Sequence, residues 1–200
     1  VALEGRRREL EGERAALEDE RARLESGMDA GPPAPYTRDP EVRADRAGAP
    51  LWQLVEFRPS VGDSERAGIE AALESSGLLD AWLSPDGRLQ ADADGKPILD
   101  VQALARRPSR ALPDASLATS LEAALPEGCP VPAAVVDTVL AGIACATDDP
   151  GDCEAWVARD GSFRMGALAG AWAKPDAAYI GFAARAATRH SAHVPACRCV

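Results

Sequence analysis

The sequence predicts an α+β domain, and two observations carry this prediction. Runs of β-forming residues alternate along the chain with stretches in which apolar residues recur at helical spacing. Two Asp-Gly pairs, at 86–87 and 160–161, each follow a short apolar run that contains a tryptophan. An Asp-Gly pair in this setting indicates a tight turn between antiparallel strands, and antiparallel pairing favours α+β over a doubly wound parallel sheet.

The composition limits which residues can form the core and which classes of partner the chain can bind. The 200 residues are 46% hydrophobic but only 4% aromatic, so we expect one domain with a core of Ala, Leu and Val, plus an appendage. The net charge of −10 argues against strong direct nucleic-acid binding, because phosphate contacts require Lys and Arg. No apolar run approaches the roughly 18 residues of a membrane span. Five irregularly spaced cysteines behind a charged N-terminus predict reduced thiols in the cytoplasm.

Residues 1–27 predict a coiled-coil-like helix. One apolar row repeats every seven residues, and arginines occupy the second core position of the heptad. The seam leucines are Leu3, Leu10, Leu17 and Leu24, and the arginines are Arg7, Arg14 and Arg21. The pattern fits either a solvated amphipathic helix or one arm of an antiparallel coiled coil whose partner arm supplies the missing apolar contacts.

The helix gives way to a proline-rich linker over residues 28–50, because GPPAPYTRDP at 31–40 cannot continue it. A globular domain is then predicted over residues 51–187. Its first strand is LWQLVEFRP at 51–59. A helix follows, beginning at Asp63 or Ser64 and ending at Gly77, with Ile69, Ala72 and Leu73 on one face.

The remaining elements follow in order from the same signals. The sequence predicts a hairpin over 81–89, a further strand at 97–101 and a loop over 102–113. Ser116 is expected to cap a short helix ending at Leu125. Pro132 then opens a helix with an apolar stripe made of Val135, Val136, Val139, Leu140 and Ile143. A second hairpin spans 155–163, and a final helix starts at 174–176 and carries Tyr179, Ile180 and Ala183.

The two Asp-Gly segments, AWLSPDGRL and AWVARDGSF, are nearly the same phrase. We interpret them as two copies of a fold signal rather than of a working site. A type I′ turn is expected at each, with positive φ at both central residues. The tryptophans are expected to be packing anchors on the incoming strands. The structural residues predicted here are Trp82, Asp86, Gly87, Trp156, Asp160 and Gly161.

No catalytic residue and no cofactor is predicted. Gly95-Lys96 is followed by a proline, which removes an amide donor that a phosphate-binding loop needs. The acidic loop at 148–152 lacks the ligand spacing of a calcium loop. Metal-ligand residue types gather only near the C-terminus, as His190, His193, Cys197 and Cys199, which could fill a tetrahedral zinc shell. The favoured interpretation of residues 188–200 is a disordered tail that binds no metal.

The order of three segments resembles the central region of large bacterial SMC-like ATPases, the condensin-like subunits of Wadjet-type plasmid-defence systems. The segments are LWQLVEFRP at 51–59, ERAGIEAALESSGLLDAWLSPDGRL at 65–89 and GALAGAWAKPDAAYIG at 166–181. The resemblance covers roughly residues 1–187 and includes no catalytic motif. It implies a hinge between an outgoing and a returning coiled-coil arm, with residues 1–27 as the end of the outgoing arm.

The resemblance also implies what this chain lacks. The ATPase heads of such proteins are absent from it, and TRHSAHVPACRCV at 188–200 stands where a charged coiled coil is expected to resume. We therefore expect a truncated or frameshifted member.

The predicted function is a non-catalytic, hinge-like association module that self-associates and meets a coiled-coil arm partner, without membrane contact. Two alternatives stay open. One is a small metal-dependent or redox protein that uses the C-terminal His and Cys residues. The other is a free-standing adaptor that docks through its N-terminal helix.

Overall fold

A computed structural model describes residues 31–35, 37–39, 41–105, 113 and 115–181. The predicted coiled-coil seam, the tail from residue 188 and all four candidate zinc ligands lie outside these ranges. Within them, short strands and helices alternate and most strand pairs are antiparallel, which confirms the α+β class.

Three helices and nine strands are found in the described ranges. The helices are α1 (Leu51–Leu54), α2 (Asp63–Ser75) and α3 (Ala133–Ala141), and a 3-10 turn spans Leu117–Thr119. The strands are β1 (Ala49–Pro50), β2 (Val55–Phe57), β3 (Trp82–Leu83), β4 (Gln102–Ala103), β5 (Leu121–Ala123), β6 (Ala144–Cys145), β7 (Ala155–Val157), β8 (Ser162–Met165) and β9 (Leu168–Ala171). They form sheets in the orders β1-β3-β4, β2-β5 and β6-β7-β8-β9.

The domain consists of two half-units of similar order. The first runs from β2 through α2 to the Trp82 strand and its Asp-Gly turn. The second runs from β5 through α3 to the Trp156 strand and its Asp-Gly turn. The strands β2 and β5, which begin the two half-units, pair antiparallel with Glu56 opposite Glu122. The larger of two hydrophobic clusters in the described part contains residues from both half-units and joins them.

The helices α2 and α3 confirm the two strongest helix predictions. Asp63 and Glu65 lie in the first turn of α2, where carboxylates favour the positive end of the helix dipole. The chain leaves α2 through Gly77, whose φ of +78° is accessible to glycine without strain. The buried face of α2 includes Ile69 and Leu73. The matching face of α3 is made of Val136, Val139 and Leu140.

Four other elements differ from the sequence expectation. The run at 51–59 begins as the helical turn α1 and becomes extended only at β2, because the Leu51 and Trp52 amides donate to the carbonyls of Ala81 and Leu79 at 3.0 Å. The strand expected at 97–101 forms later, as β4. The helix expected over 116–125 is a 3-10 turn followed by β5.

The fourth difference is the final helix. Its described part, residues 174–181, contains no helix, and Ala183 lies outside the described ranges. This segment instead follows an irregular, bent course and is hydrogen-bonded to a buried carboxylate of α2.

Of the two predicted type I′ hairpins, one hairpin forms, and the predicted turn type is wrong at both. The strands β7 and β8 do pair antiparallel around the second Asp-Gly turn, with Val157 opposite Phe163. The first turn closes no hairpin, because β3 pairs with β1 and with β4 rather than with the residues after Gly87. No non-glycine residue in the described ranges has positive φ, which excludes type I′ at both turns.

Both segments nevertheless form the same local turn. The Gly87 amide donates to the Ser84 carbonyl at 3.0 Å, and the Gly161 amide donates to the Ala158 carbonyl at 3.4 Å. In each case the glycine alone adopts positive φ, as in a type I turn that ends in a left-handed residue. The repeated phrase therefore encodes a turn, and the surrounding chain decides which strand continues from it.

Each turn is completed by its aspartate. The Asp86 carboxylate accepts hydrogen bonds from the Ser84 hydroxyl and the Arg88 amide, and these bonds lower the pKa of Asp86. The amide of Ser162 bonds the Asp160 carboxylate at 2.9 Å and lowers its pKa in the same way. The two aspartates thus have the same structural role, which is to bond the residues that follow each turn.

Replacement of Gly161 by alanine is expected to destabilise the protein more than replacement of Gly128. Both glycines have positive φ, +96° and +72°, which costs an alanine about 1 kcal/mol. A Cβ at Gly161 would also overlap the Trp172 carbonyl oxygen, whereas a Cβ at Gly128 meets open space. Urea unfolding should therefore show a loss of about 3 kcal/mol for Gly161→Ala and about 1 kcal/mol for Gly128→Ala. Equal losses would contradict this close packing.

Candidate functional site

The most exposed regular element in the described ranges is β9, the last strand of the four-stranded sheet. All four of its residues, Leu-Ala-Gly-Ala, are solvent-exposed, and the Leu168 side chain is 70% exposed. Trp172 directly follows and is 45% exposed. We call β9 together with Trp172 the association edge. Large apolar side chains at the rim of a sheet are typical of a contact surface.

The local geometry explains why a segment of weak β-formers becomes a strand. Gly166 has a φ of +59° and, with Ala167, forms the two-residue turn that pairs Met165 with Leu168. Farther along, Gly170 lies opposite Phe163, and a Cβ at this glycine would contact the Phe163 ring tightly. The strand is therefore imposed by the hairpin and by the absence of a side chain at residue 170.

The outer side of β9 pairs with no other strand of the described part. The Trp172 amide donates to the Gly161 carbonyl at 3.2 Å, so Trp172, Gly170 and Leu168 face β8 in the alternating antiparallel ladder. The N–H and C=O groups of Ala169 and Ala171 consequently face away from the sheet. The strand carries neither a charged residue nor a proline, and these are the residues that usually protect an edge from pairing.

A second feature of the domain is the docking of the segment predicted as a linker. Arg43 binds Asp100 in a bidentate pair, with Nε to Oδ2 at 2.8 Å and Nη2 to Oδ1 at 2.7 Å. Arg46 reaches the same carboxylate at 3.1 Å, and the Asp100 side chain is only 1% exposed. Arg38 and Arg43 also pair with Asp80. Arg38, Arg43 and Arg46 are thereby fixed to the domain, although they lie within the expected linker.

Trp82 and Trp156, the tryptophans that precede the two Asp-Gly turns, are both buried. Trp82 lies beneath the guanidinium groups of Arg43 and Arg46, which are 5.0 and 5.4 Å from its ring centroid. Such stacking favours the charged guanidinium, and its strength grows with desolvation. The Trp156 indole donates to the Ala146 carbonyl at 2.9 Å. Trp82 thus helps hold the docked segment, and Trp156 holds the start of the acidic loop.

In the acidic loop at 148–152, the carboxylate of Asp149 forms an ion pair. Arg164 on β8 binds Asp149 with Nε to Oδ2 at 2.5 Å and Nη2 to Oδ1 at 2.8 Å. This pair lowers the pKa of Asp149 to about 2. In the described ranges, no group of three or more His, Cys, Asp and Glu side chains could hold a metal ion. The described cysteines, Cys129, Cys145 and Cys153, are free thiols.

Comparison with known proteins adds no identification. No family model, curated protein or solved structure shows a significant match to this chain. None of the helices in the described part is long and apolar enough to cross a bilayer.

Loss of the Asp100 charge is expected to release the docked arginine segment. Removing one partner of a buried ion pair leaves the other uncompensated, so Asp100→Asn should cost about 3 kcal/mol of unfolding free energy. Trypsin should then cleave after Arg38, Arg43 and Arg46, which the wild-type ion pairs protect. The control is Asp94→Asn, which removes an exposed pair with Lys96. Equal tryptic resistance of both variants would contradict the role of Asp100.

Proposed function

We propose that this chain is a non-catalytic, self-associating module of the hinge type, acting in an SMC-like complex that handles chromosomes or plasmids. The observation that carries the proposal is the unprotected association edge. The module joins two chains by pairing of strands and burial of apolar surface, and it makes or breaks no covalent bond. The resemblance of roughly residues 1–187 to the central region of such ATPases supports the assignment to this class of complex.

The occupant of the association edge is a second copy of the chain. Two β9 strands can pair antiparallel across a two-fold axis, because each presents the outward groups of Ala169 and Ala171 to the other. The small side chains permit close approach. Four residues of strand bury too little surface for a stable dimer, which needs roughly 1,000 Å². The exposed Leu168 and Trp172 must therefore contribute to the same contact.

Electrostatics gives this association a characteristic salt response. Each chain carries a net charge of −10, so two copies repel one another. Salt screens this repulsion over a Debye length of about 10 Å at 0.1 M. Self-association should therefore strengthen with ionic strength, opposite to the response of a basic protein bound to nucleic acid. The proposed compartment is the reducing cytoplasm, in keeping with the free thiols of the described part.

Charge introduced at the association edge is expected to break the dimer. Leu168→Lys places a lysine on the edge strand, where it opposes pairing, and should raise the dimer dissociation constant roughly tenfold or more. The matched control is Leu89→Lys, since Leu89 is 72% exposed but lies after the first Asp-Gly turn, outside this sheet. Sedimentation velocity over a range of protein and salt concentrations measures both variants.

Three results would separate the alternatives. A monomeric wild-type chain at tens of micromolar would contradict self-association and favour the adaptor reading. A dimer weakened only by Leu89→Lys would move the interface away from β9. Zinc present at one ion per chain and lost in a Cys197→Ser, Cys199→Ser variant would favour the metal-dependent alternative.

A further inference from the structure

Glu70 is a fully buried acid on α2 that the proposed function does not use. Its side chain is 0% exposed. A buried carboxylate is costly unless every lone pair is bonded, so its partners identify what the residue does. All of its hydrogen-bond donors lie on residues 174–180, about a hundred positions away along the chain.

The Glu70 carboxylate captures three consecutive backbone amides. Oε1 accepts from the Ala178 amide at 2.6 Å, and Oε2 accepts from the Tyr179 and Ile180 amides at 3.0 and 2.8 Å. Successive amides directed at one anion form a concave anion-binding nest. The anion that fills the nest here is a side chain of the same protein. Its oxygens accept the hydrogen bonds that the carbonyl groups of a neighbouring strand accept in a β-sheet.

Lys174 completes the arrangement. Its Nζ lies 2.7 Å from Glu70 Oε1 and 2.8 Å from Glu74 Oε2. Burial lowers the pKa of Lys174, but the hydrogen bonds to both glutamates outweigh it, and the net pKa is raised. The ammonium also lies 4.6 Å from the Tyr179 ring centroid and 5.8 Å from that of Trp172.

Lys174 therefore links the buried carboxylate to the association edge. Trp172 ends that edge, and only Ala173 separates it from Lys174. Between Trp172 and Gly181 the chain has neither helix nor strand, and it joins none of the described sheets. Its attachments include the bonds to Glu70 and Glu74 and the insertion of Ile180, which is buried in the core.

We propose that Glu70 and Lys174 form a latch that holds residues 173–181 and keeps the association edge ordered, and that opens without unfolding the rest of the domain. Glu70 is a positioning residue in this device, since it acts on β9 through Lys174 and Trp172. The link to dimer strength rests on the proposed function, whereas local opening does not depend on it.

Hydrogen exchange of the full chain tests the latch. Glu70→Gln keeps the shape of the side chain but loses its charge and one acceptor oxygen. Exchange at the amides of 178–180, and at the β8-facing amides of 168–172, should accelerate on the order of tenfold or more, while exchange in α3 and β7 stays unchanged. The matched control is Glu65→Gln, the same substitution on the same helix at an exposed pair with Arg159.

A second variant keeps the inference testable if Glu70→Gln fails to fold. Lys174→Met retains an unbranched side chain beside Trp172 and Tyr179 but removes the ammonium, and it should accelerate the same amides. In both variants the dimer dissociation constant should rise about tenfold, as for two coupled sites. Glu65→Gln should leave exchange and dissociation constant at wild-type values.

Each other result counts against one claim. Unchanged exchange at 168–180 in both variants overturns the latch, and acceleration throughout α3 and β7 shows that the segment belongs to the global core. Local acceleration with an unchanged dissociation constant overturns the coupling to self-association. A monomeric wild type contradicts the proposed function, and the latch is then judged by local exchange alone.

Discussion

The positions of the segments that flank the central elements depend on two buried carboxylates, Asp100 and Glu70, each of which binds donors from one of these segments. Transfer of an isolated charge out of water is so unfavourable that a buried carboxylate is stable only when donors surround it. Asp100 gathers arginines from residues before β1, and Glu70 gathers a lysine and three amides from residues after β9. The two acids thus fix the stretches of chain that flank the central elements, where regular secondary structure is lacking.

This arrangement explains how two similar half-units acquire different surroundings. Both contain a strand, a helix, a tryptophan strand and the same Asp-Gly turn. After the first turn, β4 pairs parallel with the Trp82 strand β3, so a later segment lies where the returning strand of a hairpin would lie. After the second turn the chain returns at once as β8. Local residues determine the turn, whereas long-range packing determines which strand pairs with the tryptophan strand before it.

The sequence predicts what local periodicity and turn residues determine. The helices α2 and α3 and the hairpin of β7 and β8 follow from apolar spacing and from the Asp-Gly pair. The association edge was missed because Leu-Ala-Gly-Ala has weak strand propensity and depends on Gly166 and on contact with Phe163. The Asp100 cluster was missed because ion pairs between residues 57 positions apart leave no local signal. The repeated Asp-Gly segments were the one feature of the sequence that indicated two similar half-units.

The opposite end of the four-stranded sheet determines what kind of assembly the edge can form. The strand β6 at that end is covered, since Ser116 bridges to Ala144 and the Cys145 amide donates to the Ala115 carbonyl at 3.0 Å. The sheet therefore has one open edge within the described residues. A sheet with two open edges can add copies without end, but one with a single open edge closes after one two-fold pairing. Mutual repulsion of two acidic chains further disfavours nonspecific stacking. Within the described residues, an unprotected strand at a single open edge favours a closed dimer over an open-ended assembly.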